Sequence, residues 1–327
     1  FEEIIQTLLP NYIPSSFIEG FEALTYKAKS YGSFPKAIIL STEMYSRYES
    51  FMIWVAQSEA MGTKICTMQH GGDYGLHRRC ETVFTEINPY HKFYSWGWNW
   101  KQFKTSKDAI VAPMPSLHLL SQRTFKHKIA NTQRLVYVTT AKRKYTRRFM
   151  GTVAHVYNSD GYFSNQLQFY RNLNKPIWEN LEIRLYKDDY RDIARNKWLM
   201  ENSLIKFDLE LNFTSSIANS CCVLLDHLST TWLEAINLDK PTIIFIDPSE
   251  YDFTDEIKEI ITEMHSSSIL HYTPESAAKH LIKVESDITT WWYSKGVRNS
   301  LEMLKKNLMI MPKNSILMWH EELKSLQ

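Results

Sequence analysis

The chain is poor in cysteine, lacks any long apolar run and carries no excess charge of either sign. Four cysteines occur in 327 residues: Cys66, Cys80, Cys221 and Cys222. Two are adjacent inside an apolar run, and none falls in a CxxC pair or a Cys/His ligand spacing. That pattern excludes a disulfide framework and an ordinary zinc site, and it fits reduced thiols in a cytoplasmic protein. No apolar run approaches the ~20 residues that a membrane-spanning helix needs. No secretory leader is visible. Against 38 basic residues stand 36 acidic ones, a net charge of +2. A dedicated nucleic-acid binder would show its basic face in that balance, so nucleic acid is not an expected partner. A local basic patch remains allowed. Repeats and low-complexity tracts are absent as well.

What is present is enough apolar surface for a packed protein, with 44% hydrophobic and 13% aromatic residues. Domains hold about 100–200 residues, so two are expected. The pattern alternates short apolar runs with helical spacing. Strands are predicted at 36–42, 63–70, 91–97 and 108–115, with a helix over 48–62 that ends on Gly62. Residues 116–134 are polar and basic without a period and read as the crossing between units. A second alternation follows. Its strands are predicted at 134–141, 181–187, 204–209, 221–227 and 241–247. Its helices are predicted at 165–174, 190–201, 216–221 and 229–240, and the remainder from Thr254 reads as mostly helical. Near-continuous apolar strands separated by helices predict parallel sheets covered on both faces. The fold class is thus α/β, with two doubly wound, Rossmann-like domains facing a cleft. The boundary falls near residue 125, giving 1–125 and 126–327. The chain opens on Phe1 rather than Met, so the N-terminal domain is expected to be incomplete.

In open parallel sheets, ligands bind beyond the C-terminal ends of the strands, which selects particular loops. The first is "QHGGDYG", in which Gln69, Gly71, Gly72 and Gly75 form the loop around His70 and Asp73. Glycines let a backbone approach a ligand closely and take positive φ. A histidine there can act as a base near neutral pH or contact a phosphate, or it can simply cap the strand. The second is "DHLSTTWLEAINLDKPTIIF". Ser229 stands where a helix would start, followed by Thr230 and Thr231, with Glu234 one turn in. A helix N-terminus offers free N–H groups and a favourable dipole to a phosphate, although Ser and Thr also occur there as plain caps. The third is "RLYKDDYRD", where Arg184, Lys187 and Arg191 either hold an anionic donor or are solvated charge. The fourth is "TTAKRKYTRR", with Lys142, Arg143, Lys144, Arg147 and Arg148 after a strand end. Such a cluster attracts phosphates or an anionic membrane surface. The fifth, "YSWGWNW", holds Trp96, Trp98 and Trp100 at alternate positions, and packing is its favoured role.

The segments "QHGGDYG", "FYSWGW", "RLYKDDY", "DHLSTTWLEAINLDKPTIIF", "HYTPESAAKHL" and "TTWWYSKGV" run in the order found in a family of bacterial transferases of surface-carbohydrate biosynthesis, which the chain resembles from about Leu9 to Trp319. That family is similar to the GT-B glycosyltransferases, and its relatives are capsule Kdo transferases and CDP-glycerol glycerophosphotransferases. The resemblance implies that His70, or Asp73 in the same loop, serves as base, with Asp73 as nucleophile if configuration is retained. It implies that Ser229, Thr230 and Thr231, with Glu234, Lys142, Arg143 and Lys187, hold the donor's phosphate and nucleotide. Lys187 stands where sialyl- and Kdo-type enzymes carry a His-Pro pair, and "YKDD" departs from it. Such enzymes need no metal, because cationic side chains and helix dipoles stabilise the leaving phosphate. No cofactor is implied beyond the nucleotide-sugar substrate. The expected activity is transfer of a nucleotide-activated sugar, a CMP-linked nonulosonate or Kdo-like acid, onto a surface glycan or its lipid-linked precursor. The expected location is cytoplasmic, with peripheral contact to the inner membrane. A CDP-polyol phosphotransferase, a nucleotide-sugar epimerase and a non-catalytic nucleotide- or glycan-binding module are the alternatives.

Overall fold

The computed structural model describes residues 2–41, 48–78, 83–87, 90–100, 110–122, 132–140, 159–186 and 191–327. Two sheets organise them, and every strand pairing in both is parallel. The first sheet holds β1 (Ala37–Leu40), β2 (Lys64–Met68), β3 (Lys92–Ser95) and β4 (Val111–Pro113), side by side in chain order. The second holds β5 (Leu135–Val138), β6 (Leu181–Arg184), β7 (Lys206–Phe207), β8 (Cys222–Leu225), β9 (Thr242–Phe245) and β10 (Leu270–His271). Its order is β10-β9-β8-β5-β6-β7. The chain enters at β5, winds out to β7, returns to the other side of β5 at β8 and winds out again. The direction therefore reverses between β5 and β8, which makes that pair a topological switch point.

Side-chain alternation explains why the second sheet is covered twice. Val136, Val138, Val223, Leu225 and Ile244 join one core, with Trp232, Leu233 and Ile236 of the helix Thr230–Asn237 and Ile257, Ile260 and Met264 of the helix Asp255–Ser266. Leu135, Tyr137, Cys222, Leu224 and Ile243 face the opposite way, onto Phe169 and Tyr170 of the helix Ser159–Arg171, Trp198, and Ala277 and Leu281 of the helix Pro274–Val284. Each fully buried aliphatic or aromatic side chain contributes about 1.5–3 kcal/mol relative to exposure. The first of these cores continues without a break into the first sheet through Tyr74, Phe93, Trp96, Trp98 and Val111.

The last helix, Ser315–Leu326, returns to the first sheet. Trp319 and Leu326 are buried against Cys66, Tyr94 and Met114. Trp319 Nε1 donates to the Pro115 carbonyl at 2.8 Å, and Glu322 accepts from Lys92 at 2.7 Å and from the Tyr94 hydroxyl at 2.6 Å. The expected α/β class and the first nine strand positions hold. Several local readings shift. The helix predicted at 216–221 lies at Phe213–Ala218, because the Asn212 side chain caps the Thr214 and Ser215 amides and starts it early. The crossing segment contains a short helix, Leu117–Ser121, capped by Ser116. The helix predicted at 165–174 begins at Ser159 and ends at Arg171. β10, two residues long, lies between two helices in a stretch expected to be mostly helical. Among the described residues no helix is long and apolar enough to cross a membrane.

Candidate functional site

The loop after β2 is shaped by the tryptophan-rich segment after β3. Gln69 is buried, and its side chain makes three hydrogen bonds. Its Nε2 donates to the Gly71 carbonyl at 2.7 Å, while its Oε1 accepts from the Trp96 amide at 2.8 Å and from Trp98 Nε1 at 2.9 Å. Trp100 Nε1 donates to the Gly75 carbonyl at 2.9 Å. Trp96, Trp98 and Trp100 are all buried, so their role is packing and loop support. Only Gly75 of the three glycines needs positive φ, at 80°, and a Cβ there would also strike the Trp98 ring at 2.9 Å. Gly72 is required for another reason. A Cβ on it would lie 2.8 Å from Thr230 Cα and 2.9 Å from the Ser229 carbonyl, so only glycine permits this approach to the helix start.

His70 is exposed and Asp73 half-buried. His70 lies edge-on to the buried Tyr74, with ring centroids 5.1 Å apart. The Tyr74 hydroxyl is 2.8 Å from His70 Nδ1 and donates to the carboxylate of Glu86, whose oxygens lie 3.0 and 2.9 Å away. Glu86 is 5% exposed and comes from a five-residue helical turn, Val83–Ile87. His70, Tyr74 and Glu86 thus form one chain from a buried carboxylate to the loop surface.

The second cluster lies at the switch point. Asp226 follows β8 directly, and its buried carboxylate accepts from four donors. Tyr162 and His227 Nδ1 reach Oδ1 at 2.6 and 2.7 Å, and Tyr137 and Gln166 reach Oδ2 at 2.9 and 2.7 Å. Burial first, then the Asp226 charge, pushes both phenols far above their ordinary range, so they stay neutral donors. The Tyr162 oxygen also accepts the Thr140 amide at 3.0 Å, tying in the end of β5. His227 is 2% exposed, and its Nε2 lies 3.4 Å from the Thr231 hydroxyl, which is 3.1 Å from the Ser229 hydroxyl. Ser229 occupies the N-cap position of its helix in extended conformation but makes no capping bond with its side chain. A buried carboxylate therefore orients a short row of hydroxyls at a helix N-terminus, an arrangement suited to an anionic oxygen.

The two clusters touch. The Gly72 amide donates to the Thr230 hydroxyl at 3.1 Å, and Trp232 Nε1 donates to the Gly72 carbonyl at 3.3 Å. Beyond them, Leu76–Arg78 pairs with 252–254. The Thr254 amide donates to the Leu76 carbonyl at 2.9 Å, the Arg78 amide to the Asp252 carbonyl at 2.8 Å, and His77 stacks on Tyr251 and Phe253. Residues expected at opposite walls of a cleft are thus neighbours.

Three of the residues expected at the donor have other partners in the structure. Thr230 turns its hydroxyl to the Gly72 amide and holds the loop, because the glycine brings that backbone into reach. Glu234, expected at the donor, faces the first sheet instead. Its buried carboxylate accepts from Gln122 at 3.1 Å and bonds His118 Nε2, because one turn into the helix its side chain meets the helix Leu117–Ser121. That hydrogen bond holds the His118 ring above its ordinary titration range, against partial burial. Arg184 Nη1 donates to Asp208 at 2.6 Å and to the Glu210 carbonyl at 2.8 Å. Lys142, Arg143 and Lys187 lie outside the described residues. Two concavities of about 450 and 510 Å³ share Thr132, Gln133 and Asn180, at the N-terminal edge of the second sheet, away from these clusters.

Sequence reasoning missed Tyr74, Glu86, Tyr137, Tyr162, Gln166, Asp226 and His227. Asp226 and His227 stood in the quoted "DHLST" at a strand end and were legible there. The others meet their partners only through the fold.

The model of the LIC12162 family transferase matches residues 1–323. No curated protein matches the sequence. Among solved structures, the chain is similar to S. aureus MnaA in complex with UDP, at 11% identity and TM-score 0.50, covering 97% of this chain and 80% of that one. A putative UDP-N-acetylglucosamine 2-epimerase from Listeria monocytogenes is similar at 11% identity and TM-score 0.52, covering 93% and 76%. TarM is similar at 8% identity and TM-score 0.50, covering 93% of this chain and 57% of that one. At these identities the likeness is one of fold, a GT-B-like pair of parallel sheets.

Proposed function

The chain belongs to the LIC12162 family transferases, and from that membership we propose that it transfers a nucleotide-activated sugar to a hydroxyl of a bacterial cell-surface glycan or its lipid-linked precursor. The observation that carries this reading is the contact between the His70 loop and the Ser229–Thr231 helix start through the Gly72–Thr230 hydrogen bond. It joins the loop that carries His70 to the helix start that follows β8.

In this reading the helix start and the Ser229 and Thr231 hydroxyls receive the donor's phosphate and stabilise charge as it leaves. Lys142, Arg143 and Lys187 are proposed to add positive charge. His70 takes the acceptor proton, with Asp73 as the alternative group in the same loop. Residues 1–125 form the acceptor-side unit and 126–327 the donor-side unit, whose last helix crosses back. The donor is proposed to be a CMP-linked nonulosonate or Kdo-like acid. Its support is the sequence likeness to Kdo transferases and CDP-glycerol glycerophosphotransferases.

Calorimetric titration of CMP, CDP, UDP and GDP tests the donor class. Preference for a cytidine nucleotide is expected. Preference for a uridine nucleotide with interconversion of a UDP-sugar in the absence of acceptor would replace transfer by epimerisation. Binding of none of the four would overturn the reading.

A further inference from the structure

We propose that Tyr251, on the loop after β9, is a binding residue whose hydroxyl donates to a phosphoryl oxygen of the donor at the start of the helix Thr230–Asn237. This rests on the transferase reading above and deepens it, because it assigns a phosphate contact to a loop that carries no motif. Tyr251 is 8% exposed, and among the described residues its hydroxyl has no hydrogen-bond partner. A hydroxyl buried in that way has lost its contact with water without a replacement, so it calls for an explanation. Its surroundings narrow the choice. The ring stacks on His77, with centroids 5.6 Å apart at 10°, and on Phe253, at 4.9 Å and 17°. The hydroxyl end meets the peptide that leads into the helix. There the Leu228 amide, one residue before the N-cap Ser229, faces the phenol oxygen without completing a hydrogen bond.

The carboxylates around the phenol come from both halves of the site. Asp226 is the hub behind the helix start, Asp73 belongs to the His70 loop, and Glu250 precedes Tyr251 in the chain. Burial pushes the phenol far above its ordinary range, the Leu228 amide pulls against that, and the three charges add to the rise, so the group stays protonated. A phenol has one proton to give. Asp226 is no outlet for it, because its two oxygens already accept from Tyr162, His227, Tyr137 and Gln166. The proton therefore needs an acceptor that the described residues do not supply. A phenol O–H beside a helix N-terminus favours an oxygen that only accepts, and a phosphoryl oxygen is of that kind. A sugar hydroxyl, which must also donate, gains less there. The loop also lies where ligands bind in such sheets, since β9 neighbours β8 and Tyr251 follows the C-terminal end of β9. The seam between Leu76–Arg78 and 252–254 covers the phenol, and a ligand meets it as that seam yields.

The test uses the full chain and the change Tyr251→Phe, which deletes only a hydroxyl, with Tyr137→Phe beside it. Tyr137 donates to Asp226 at 2.9 Å, so its variant is expected to melt below the wild type. Tyr251→Phe removes a hydroxyl without a partner and is expected to melt at the wild-type Tm or up to about 2 °C above it. Binding is expected to move the other way. In calorimetric titration, inorganic pyrophosphate and the tightest binder among CMP, CDP, UDP and GDP should each bind Tyr251→Phe about 10-fold more weakly than the wild type. A lowered Tm in Tyr251→Phe would show the hydroxyl bonded to a buried water or a shifted neighbour, and it overturns the proposal while the transferase reading stands. Unchanged affinity for both probes overturns it in the same way. Weaker nucleotide binding with unchanged pyrophosphate binding puts the contact on the nucleoside and overturns the phosphoryl assignment. Binding of no probe to the wild type overturns the donor site itself, and the proposal falls with it.

Discussion

The two sheets build their halves of the site by different means. Among the described residues the first adds its strands in one direction, β1 to β4, without a reversal of winding. Its half of the site comes from a glycine turn held by tryptophans, and its chemical group, His70, stands at the surface with the buried carboxylate two residues behind it in the chain of hydrogen bonds. The second sheet reverses between β5 and β8, and its half grows from that point. There the carboxylate, Asp226, is itself the hub, and the outward groups are hydroxyls. In the proposed function one half exchanges a proton and the other holds charge still. The contrast teaches that parallel topology alone marks a ligand position in the second sheet, whereas in the first the position depends on side-chain scaffolding that topology does not dictate.

Substitutions can break this contrast, and the largest effect is expected at its most exposed member. His70→Ala should lower transfer about 10²–10⁴-fold, the usual worth of a general base. Because the ring is exposed, unfolding free energy should change by no more than about 0.5 kcal/mol. Loss of folding in a circular-dichroism melt would reverse the assignment and make the ring structural. Asp226→Asn should do the opposite. It removes a buried anion from four donors and should cost about 3–5 kcal/mol of stability in urea titration, with weaker nucleotide binding in whatever remains folded. Next comes Gly72→Ala, in which the new methyl meets backbone rather than a movable side chain. A loss of about 1–3 kcal/mol is expected, together with a fall in transfer, because the loop must leave the helix start.

The smallest effect concerns the His118–Glu234 tie between the halves. Its folded titration point is raised above the ordinary 6.5, so the stability it contributes is present in full below that pH. It is lost as pH rises through the higher folded value. The side chain is half exposed, which limits the contribution to about 0–1 kcal/mol. Urea midpoints at pH 6 and pH 8 should therefore differ slightly more in the wild type than in His118→Ala. An equal difference in both would show that the tie does not titrate.

Much of the fold was legible because parallel strands buried on both faces leave unbroken apolar runs, as in "RLVYV" and "CCVLL". β10 was not, because its two residues stand between two helices in a stretch that reads as helical. The candidate site was legible where a motif coincided with a strand end, as at His70 and Ser229. It was illegible where function depends on partners far apart in sequence. Tyr137 and Tyr162 look like ordinary core residues until the fold brings them to Asp226. Glu86 sits among residues with no motif, and only the placement of Tyr74 gives it a role. The helix start at Thr230 and Glu234 points to a ligand, but the sequence does not show that the loop after β2 and the helix Leu117–Ser121 come up against it.

The central claim is that charge is held by the second half and the proton is moved by the first. It is tested most directly by calorimetric titration of one cytidine nucleotide into the wild type, His70→Ala and the double variant Ser229→Ala/Thr231→Val. The account predicts near wild-type affinity for His70→Ala and weakening of about tenfold or more for the hydroxyl variant. Equal affinity in the hydroxyl variant, or loss of binding in His70→Ala with the fold intact, would contradict it.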